Sequence, residues 1–184
     1  MKSRWVLLLA FSLVLAGCSR LTETKPLPLE KERVGKKEEV EFVEAVDGDT
    51  AKFRIDGQVE TVRFLLIDTP ETRHPELGEQ PLGKEASEFT KNLLENAKEV
   101  ELEYDVEKED KYGRVLAYVY ADGKSVQEEL LKRGLAWVGY VYESRRYLAD
   151  FREAEDIAQE KKIGVWQCPG YATDEGFNEE MWCK

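Results

Sequence analysis

The sequence predicts a small α+β domain in which short strands form a barrel and helices pack around it. Five segments have the apolar pattern of strands, two-residue Asp-Gly turns follow several of them, and three later segments place apolar residues at helical spacing. The chain has 184 residues, of which 42% are hydrophobic and 35% charged. A single charge-rich globular domain with one hydrophobic core is therefore expected.

The strands are predicted from their pattern of apolar residues. Ala51, Phe53 and Ile55 alternate with charged neighbours, which is typical of a strand with one buried face. Residues 115–121 are continuously apolar, as in a strand that is buried on both faces. Together the five predicted strands cover residues 40–46, 51–55, 59–67, 100–105 and 115–121.

The helices are predicted from apolar spacing and from residues that favour helix ends. Pro81 lies near the start of an amphipathic segment over residues 82–97. Ser125 and Glu128 form a capping-box pattern for a second helix, which ends near Gly134. The third predicted helix spans residues 147–162.

The first residues have the features of an exported lipoprotein. Two positively charged residues precede an apolar run over residues 5–15, which has the length of a signal-peptide core and is too short to span a bilayer. Residues 15–18, Leu-Ala-Gly-Cys, resemble the bacterial lipobox, in which the cysteine is lipidated. We expect a signal peptide over residues 1–17, lipidation of Cys18 and anchoring in the membrane by the acyl chains. An ordinary signal peptide with a chance cysteine is the alternative.

The rest of the chain divides into three parts. Residues 18–39 contain two prolines and mixed charges, which predicts a flexible tether after the lipidated cysteine. Residues 40–166 form the predicted folded domain, and residues 167–184 form a C-terminal tail. We expect the domain to lie in the cell envelope on the extracytoplasmic side of a bacterial membrane, or to be secreted after processing.

Two cysteines, Cys168 and Cys183, remain for the folded part of the protein. In an exported protein an even pair is consistent with a disulfide. Such a bond would close a loop of about 15 residues and contribute roughly 3 kcal/mol in the chain-entropy description. Two free thiols in the tail are the alternative at this stage.

The charge balance excludes several classes of function. The formal net charge is −11, so no overall positive field attracts polyanions, and any nucleic-acid site must be local or assisted by a metal. His74 is the single histidine, which excludes the HExxH zinc motif and paired-histidine acid–base chemistry.

Four groups of residues contain side chains suited to catalysis or ligand binding: residues 47–50, Arg63, residues 67–72 and residues 110–114. Taken singly, each has an ordinary interpretation as a turn, a strand end or a solvated loop. A two-residue turn after Ile55 pairs Thr50 with Arg63, which brings Arg63 beside Asp49. A straight strand would carry Asp68 past both, so a bend or bulge is needed to return it.

In order and spacing these groups resemble the thermonuclease family, the staphylococcal-nuclease-like proteins. The resemblance extends from about residue 43 to 166 and includes residues 62–71 (VRFLLIDTPE), 110–114 (DKYGR) and 139–142 (GYVY). It implies a five-stranded OB-type barrel with three α-helices. It also implies a calcium-dependent endonuclease that cleaves DNA and RNA to products with 3′-phosphates and needs no obligate protein partner, so that a monomer is expected.

The resemblance assigns roles to the residues around the scissile phosphate. Asp49 and Asp68 match the carboxylates that bind Ca²⁺, and Thr69 offers its backbone carbonyl; such oxygen ligands suit this ion. Glu71 matches the residue that orients or deprotonates the attacking water. Further residues match groups that contact the substrate. Two arginines, Arg63 and Arg114, match a clamp on the phosphate oxygens, and their planar guanidinium groups suit that task.

More distant contacts to the substrate are also implied by the resemblance. Lys111 and Tyr112 match contacts to a neighbouring phosphate, and Tyr140 and Tyr142 match the wall against which a base stacks. His74 lies in the segment that matches the family's loop beside the site, and we interpret it as incidental to catalysis.

Two other functions are compatible with parts of the pattern. The same barrel could be a catalytically silent nucleic-acid-binding lipoprotein, or the protein could be an acidic lipoprotein that stores or senses cations. A silent relative is expected to lack a metal carboxylate or a phosphate-binding arginine, whereas all five central side chains are present here: Asp49, Arg63, Asp68, Glu71 and Arg114. The sequence therefore favours the enzyme.

Overall fold

The computed structural model describes residues 34–73 and 78–183. The predicted signal peptide, Cys18 and His74 lie outside the described residues. In the described ranges, no helix has both the length and the apolar character required to cross a membrane.

A seven-stranded sheet forms the centre of the domain, and its strands lie in the order β1-β5-β6-β4-β3-β2, with β7 paired to β6. All five predicted strands are confirmed as β2 to β6, and only the β4–β6 pairing is parallel among the pairings of this sheet. The strands are β1 (Lys37–Glu39), β2 (Glu41–Ala45), β3 (Thr50–Ile55), β4 (Gln58–Phe64), β5 (Val100–Glu103), β6 (Val115–Ala121) and β7 (Lys124–Ser125).

The sheet curls but does not close. Strands β1 and β2 lie at opposite edges, yet only Val40 separates them along the chain, so the sheet must bend to bring its edges near each other. Among the described residues no hydrogen-bonded ladder joins β1 to β2. The predicted fold class is therefore confirmed, although the term barrel describes this sheet only loosely because the sheet is not closed.

Strand β1 extends the sheet into the segment that was expected to be a tether. Lys37–Glu39 pairs with β5, and the Lys37 ammonium lies 3.4 Å from the centroid of the Tyr120 ring. The apolar pattern could not predict this strand, because it is only three residues long and all three residues are charged.

All three predicted helices are present: α1 (Gly83–Glu95), α2 (Val126–Lys132) and α3 (Leu148–Lys161). The capping prediction for α2 is also confirmed, since the Ser125 hydroxyl accepts a hydrogen bond of 3.2 Å from the Glu128 N–H. The helices and the sheet enclose one main core, in which Phe53, Phe64 and Tyr118 are among the largest fully buried side chains.

The C-terminal tail folds against this domain. After a 3-10 turn at Gly164–Trp166, the tail forms a small hairpin of β8 (Ala172–Thr173) and β9 (Gly176–Phe177) and a second 3-10 turn at Glu179–Met181. Cys168 and Cys183 are joined in a disulfide, with their Cα atoms 5.5 Å apart. A second, separate hydrophobic cluster forms around this bond.

The end of α2 approaches the chain after α3 so closely that it leaves no room for a side chain. A Cβ atom on Gly164 would overlap the carbonyl oxygen of Gly134, and Gly164 also has a left-handed φ of +61°. We expect Gly164→Ala to lower the free energy of unfolding by about 2–5 kcal/mol, because a clash adds to the cost of the backbone conformation. Urea-induced unfolding measures this loss.

Gly123→Ala is the matched control for this substitution. Gly123 has a similar φ of +74°, but its Cβ would meet no atom within 4 Å. It should lose only about 1–2 kcal/mol, the cost of the left-handed backbone itself. Equal losses at the two glycines would show that the approach of Gly134 to Gly164 is not a constraint.

Candidate active site

The side chain of Arg63 lies at the centre of the candidate site. As predicted from the hairpin, β3 and β4 pair Thr50 with Arg63. Arg63 is 8% exposed, and its Nη2 atom lies 3.2 Å from Asp49 Oδ2 and 3.1 Å from Asp68 Oδ1. Its Nη1 atom donates a hydrogen bond of 2.9 Å to the carbonyl oxygen of Phe64. One buried cation thus links two aspartates that are 19 positions apart in the sequence.

A change of backbone direction after β4 returns Asp68 to this centre. Leu66 has a left-handed φ of 65°, a conformation that residues with a side chain rarely adopt. Asp68 then exchanges backbone hydrogen bonds with Trp137, and the Trp137 indole N–H donates to Asp68 Oδ2 over 3.3 Å. This is the bend that the sequence required but could not locate.

Asp49 is held from both sides by hydroxyl and amide groups. The N–H of Thr69 donates to Asp49 Oδ2 over 2.8 Å, and the Thr50 hydroxyl donates to Asp49 Oδ1 over 3.0 Å. Because these donors and Arg63 contact both of its oxygens, the Asp49 side chain has a fixed orientation. Thr69 itself is buried.

Helix α1 packs directly on the turn that precedes Asp49. The Thr90 hydroxyl donates to the Gly48 carbonyl oxygen over 2.6 Å. A Cβ atom on Gly48 would lie 2.7 Å from Thr69 Oγ1 and 2.8 Å from the Ala86 Cβ, so the turn needs glycine at this position. Thr90 was not predicted, since an isolated threonine on an amphipathic helix gives no signal of this contact.

The carboxylates around Arg63 exceed the positive charge beside them. Burial, with repulsion from Asp49 and Glu71, raises the pKa of Asp47 to about 8. Burial and repulsion from Asp49 raise the pKa of Asp68 to about 7, although Arg63 acts in the opposite direction. When all of these carboxyl groups are ionised, the site therefore has a surplus of negative charge that one guanidinium does not neutralise.

This surplus fits a hard divalent cation, because carboxylate oxygens are its preferred ligands and a second positive charge would relieve their repulsion. Within residues 34–73 and 78–183, however, no three His, Cys, Asp or Glu side chains are grouped as a complete set of metal ligands. Asp49 and Asp68 could hold such an ion only together with other oxygen donors, such as backbone carbonyl groups or water.

The second predicted arginine lies on a turn at the rim of the site. Arg114 Nε donates to Asp110 Oδ2 over 2.6 Å, and the N–H groups of Arg114 and Tyr112 donate to Asp110 Oδ1. Burial opposes the charge of Asp110, but these hydrogen bonds outweigh it and lower the pKa of the carboxyl. Asp110, which was not assigned a role from the sequence, thus organises the turn that carries Arg114.

Two exposed tyrosines border the same space. The Arg63 guanidinium carbon lies 5.3 Å from the centroid of the Tyr140 ring, which is 58% exposed. Tyr140 also has a left-handed φ of 53°. Tyr142 is exposed to a similar extent, and both tyrosines line the cavity that contains Arg63.

Of the residues predicted to take part in catalysis, metal binding or substrate binding, the structure brings all but one to a cavity of about 620 Å³. Thr69 is the exception among them, since it is buried behind Asp49. The cavity is also bordered by Asp47, to which the sequence assigned no individual role. The nine predicted residues that line the cavity are Asp49, Arg63, Asp68, Glu71, Lys111, Tyr112, Arg114, Tyr140 and Tyr142.

Comparison with known proteins gives consistent matches. A family model described as "Staphylococcal nuclease homologue" matches residues 61–168. The SPbeta prophage-derived endonuclease YokF of Bacillus subtilis (strain 168) is 54% identical over 136 residues, which are 73% of this chain and 46% of YokF. Endonuclease YncB of the same strain is 52% identical over 136 residues, which are 73% of this chain and 64% of YncB.

These two relatives are longer than the aligned segment: the match covers about half of YokF and just under two thirds of YncB. The thermonuclease of Staphylococcus hyicus is 34% identical over 161 residues, which are 88% of this chain and 95% of that protein. Since the family model covers more than half of the chain and this relative aligns over nearly its whole length, the chain belongs to the staphylococcal nuclease homologue family.

Proposed function

We propose that the protein is a calcium-dependent endonuclease that hydrolyses DNA and RNA to products with 3′-phosphates and acts as a monomer. The observation that carries the proposal is the single cavity in which two arginines face a group of carboxylates and two exposed aromatic rings. The names of the relatives YokF, YncB and the thermonuclease support the same activity.

The arginines would bind the scissile phosphate. Arg63 is fixed by two aspartates and a carbonyl oxygen, so it presents its remaining positive surface without having to reorganise. The Arg114 side chain is 34% exposed and paired with Asp110 on a turn, which leaves it closer to solvent. Together they would oppose the negative charge that grows on the phosphoryl oxygens in the transition state.

Glu71 would orient the attacking water and accept its proton. It lies on the exposed rim of the cavity, and its charge contributes to the raised pKa values of Asp47 and Asp68. An exposed carboxylate in the lining of the cavity could act as a base towards a water molecule bound there. Attack on phosphorus opposite the 5′-oxygen would break the bond between phosphorus and that oxygen. The 5′-oxygen would take up a proton from solvent and leave as a hydroxyl, and the phosphate would stay on the 3′-oxygen of the other fragment.

Asp49 and Asp68 would hold the calcium ion, with the Thr69 carbonyl oxygen as a further donor. A bound Ca²⁺ supplies a Lewis acid that polarises a phosphoryl oxygen and orients a water molecule. Lys111 and Tyr112 would contact a neighbouring phosphate. Stacking of a base on Tyr140 or Tyr142 would tolerate any sequence, because every base has an aromatic face.

The role of Glu71 is tested by Glu71→Gln, which keeps the shape of the side chain and removes its basicity. We expect the rate of hydrolysis of heat-denatured DNA and of RNA in calcium to fall roughly 10²- to 10⁴-fold. Glu88→Gln is the control, because Glu88 is exposed on α1 and pairs only weakly with Lys84. Wild-type products should resist extension by a polymerase until a phosphatase removes the 3′-phosphate.

Retention of substrate binding without hydrolysis by the wild-type protein at millimolar calcium would indicate a binding module instead. If the wild-type protein is active and Glu71→Gln has unchanged turnover, Glu71 has no role in the mechanism. The proposal that the protein is a nuclease would still stand.

The surplus of carboxylates predicts a dependence of stability on pH. Between about pH 4 and pH 8 the folded protein keeps protons on Asp47 and Asp68 that the unfolded chain has lost, since their folded pKa values are about 8 and about 7. The folded state binds more protons, so the free energy of unfolding should fall as pH rises through this range. In chelator, the unfolding temperature should drop between pH 5 and pH 8.

Calcium should offset this loss, and it should raise the unfolding temperature more at pH 8 than at pH 5 because protonated carboxyls bind it poorly. The difference should reach at least roughly 2–4 °C, which corresponds to about 1 kcal/mol for a chain of this size. Asp47→Asn should flatten the pH dependence in chelator. An unfolding temperature that calcium does not change at pH 8 would contradict the proposed metal site.

We also propose that Cys18 is lipidated and anchors the protein to the outer side of a bacterial membrane; the proposal rests on the lipobox-like residues 15–18. In cells supplied with labelled palmitate, Cys18→Ser should abolish the label and move the protein out of the membrane fraction. Cys168→Ser is the control, and it should retain both label and membrane association. Labelling that persists in Cys18→Ser would disprove the assignment.

A further inference from the structure

The C-terminal tail contains a buried tyrosine that the proposed mechanism does not use. Tyr171 is 0% exposed and packs against Phe177 and Trp182, with ring centroids 5.4 and 4.8 Å away. The disulfide between Cys168 and Cys183 joins the two ends of the segment that contains these three aromatic residues. We refer to these five residues as the tail cluster. The tail lies almost entirely beyond residues 61–168, the segment that matches the family.

The Tyr171 hydroxyl contacts the segment that immediately precedes α1. It donates a hydrogen bond of 2.6 Å to the carbonyl oxygen of Pro81. The next residue, Leu82, packs against the same cluster and has a left-handed φ of 71°. A leucine rarely adopts this conformation unless its surroundings hold it there. The tail cluster supplies such support at the start of the helix.

This same segment fixes the backbone of Glu71. The side-chain oxygen of Gln80 accepts a hydrogen bond of 2.9 Å from the Glu71 N–H, and the Gln80 N–H donates to the Glu71 carbonyl oxygen over 2.9 Å. Gln80 is buried, and a Cβ atom on Gly83 would overlap the Glu71 carbonyl oxygen. Gln80, which precedes Pro81, and Gly83, which follows it, therefore both lie against Glu71, the residue that would activate water.

We propose that Tyr171 is a positioning residue for Glu71, acting through Pro81 and Gln80, and that the disulfide of the tail cluster maintains this contact. The proposal rests on the proposed function, because it concerns the residue that would act on water. Because Gln80 holds both the N–H and the carbonyl oxygen of Glu71, a shift of residues 80–81 would move the Glu71 backbone and the carboxylate attached to it. Displacement of a reacting group by about 1 Å can cost roughly 100-fold in rate.

Tyr171→Phe in the full-length protein tests the inference, since phenylalanine keeps the ring packing and removes only the hydroxyl. We expect kcat on denatured DNA to fall about 10-fold while KM is unchanged, because Tyr171 lies outside the cavity that would bind substrate. Tyr118→Phe is the matched control. It also removes a buried hydroxyl, which donates to Asp105 over 3.0 Å, and it should leave kcat unchanged.

Two further measurements separate positioning from general stability. In the Glu71→Gln background, Tyr171→Phe should cause no additional loss of the residual rate, because the group that it positions is already disabled. Gln80→Met, which removes the acceptor for the Glu71 N–H, should lower kcat in the same way even if Tyr171→Phe fails to fold. Cys183→Ser, which removes the disulfide, should also lower kcat while KM stays constant.

The outcomes distinguish this inference from the proposed function. If Glu71→Gln abolishes turnover and Tyr171→Phe, folded, retains full kcat, the positioning role is wrong and the nuclease proposal stands. If the wild-type protein does not hydrolyse nucleic acid, the proposed function fails first. Equal losses in Tyr171→Phe and Tyr118→Phe, or full additivity with Glu71→Gln, would show that the tail contributes only stability. Full kcat in Cys183→Ser would remove the disulfide from the inference.

Discussion

The site depends on one buried cation, the guanidinium of Arg63. Removing this charge from water is costly, and the cost is met by two aspartates and one backbone carbonyl oxygen. The dependence is mutual, because Asp49 and Asp68 are themselves largely buried and repel each other. Loss of Arg63 would leave two buried carboxylates that repel each other, so the three side chains form a single electrostatic unit on which the rest of the cavity is built.

Around this unit the site has a rigid base and an exposed rim. The base is defined by backbone constraints: the left-handed Leu66, the close approach at Gly48 and the hydrogen bond from Thr90. The rim carries Glu71 and Tyr140, whose side chains face solvent. Groups on the base need no reorganisation when substrate binds, whereas groups on the rim require support from neighbouring segments. Such a division is expected where binding and chemistry use the same cavity.

Local patterns in the sequence predicted much of this arrangement, and long-range contacts account for what they missed. Alternation and capping located the five main strands and three helices, and the turn after Ile55 correctly placed Arg63 opposite Thr50. Periodicity could not locate the reversal at Leu66 or the contact between Asp68 and Trp137, since both depend on residues that are distant in the chain. The family resemblance, not the pattern, supplied the expectation that these groups converge.

The acidic character of the chain constrains how such a site could attract a polyanion. With a formal net charge of −11, long-range forces oppose approach of nucleic acid, so attraction must arise within about one Debye length of the cavity. Arg63 is already paired with aspartates. Among the cationic side chains that line the cavity, this leaves Arg114 and Lys111 as the ones nearest to solvent. Few phosphates can therefore be neutralised at once, and binding should depend less steeply on salt than in a basic nuclease. The surplus carboxylates would then have a second consequence. Occupancy of the proposed site by a divalent cation and access by substrate would be coupled, because the same charge that would bind the cation would repel the phosphate.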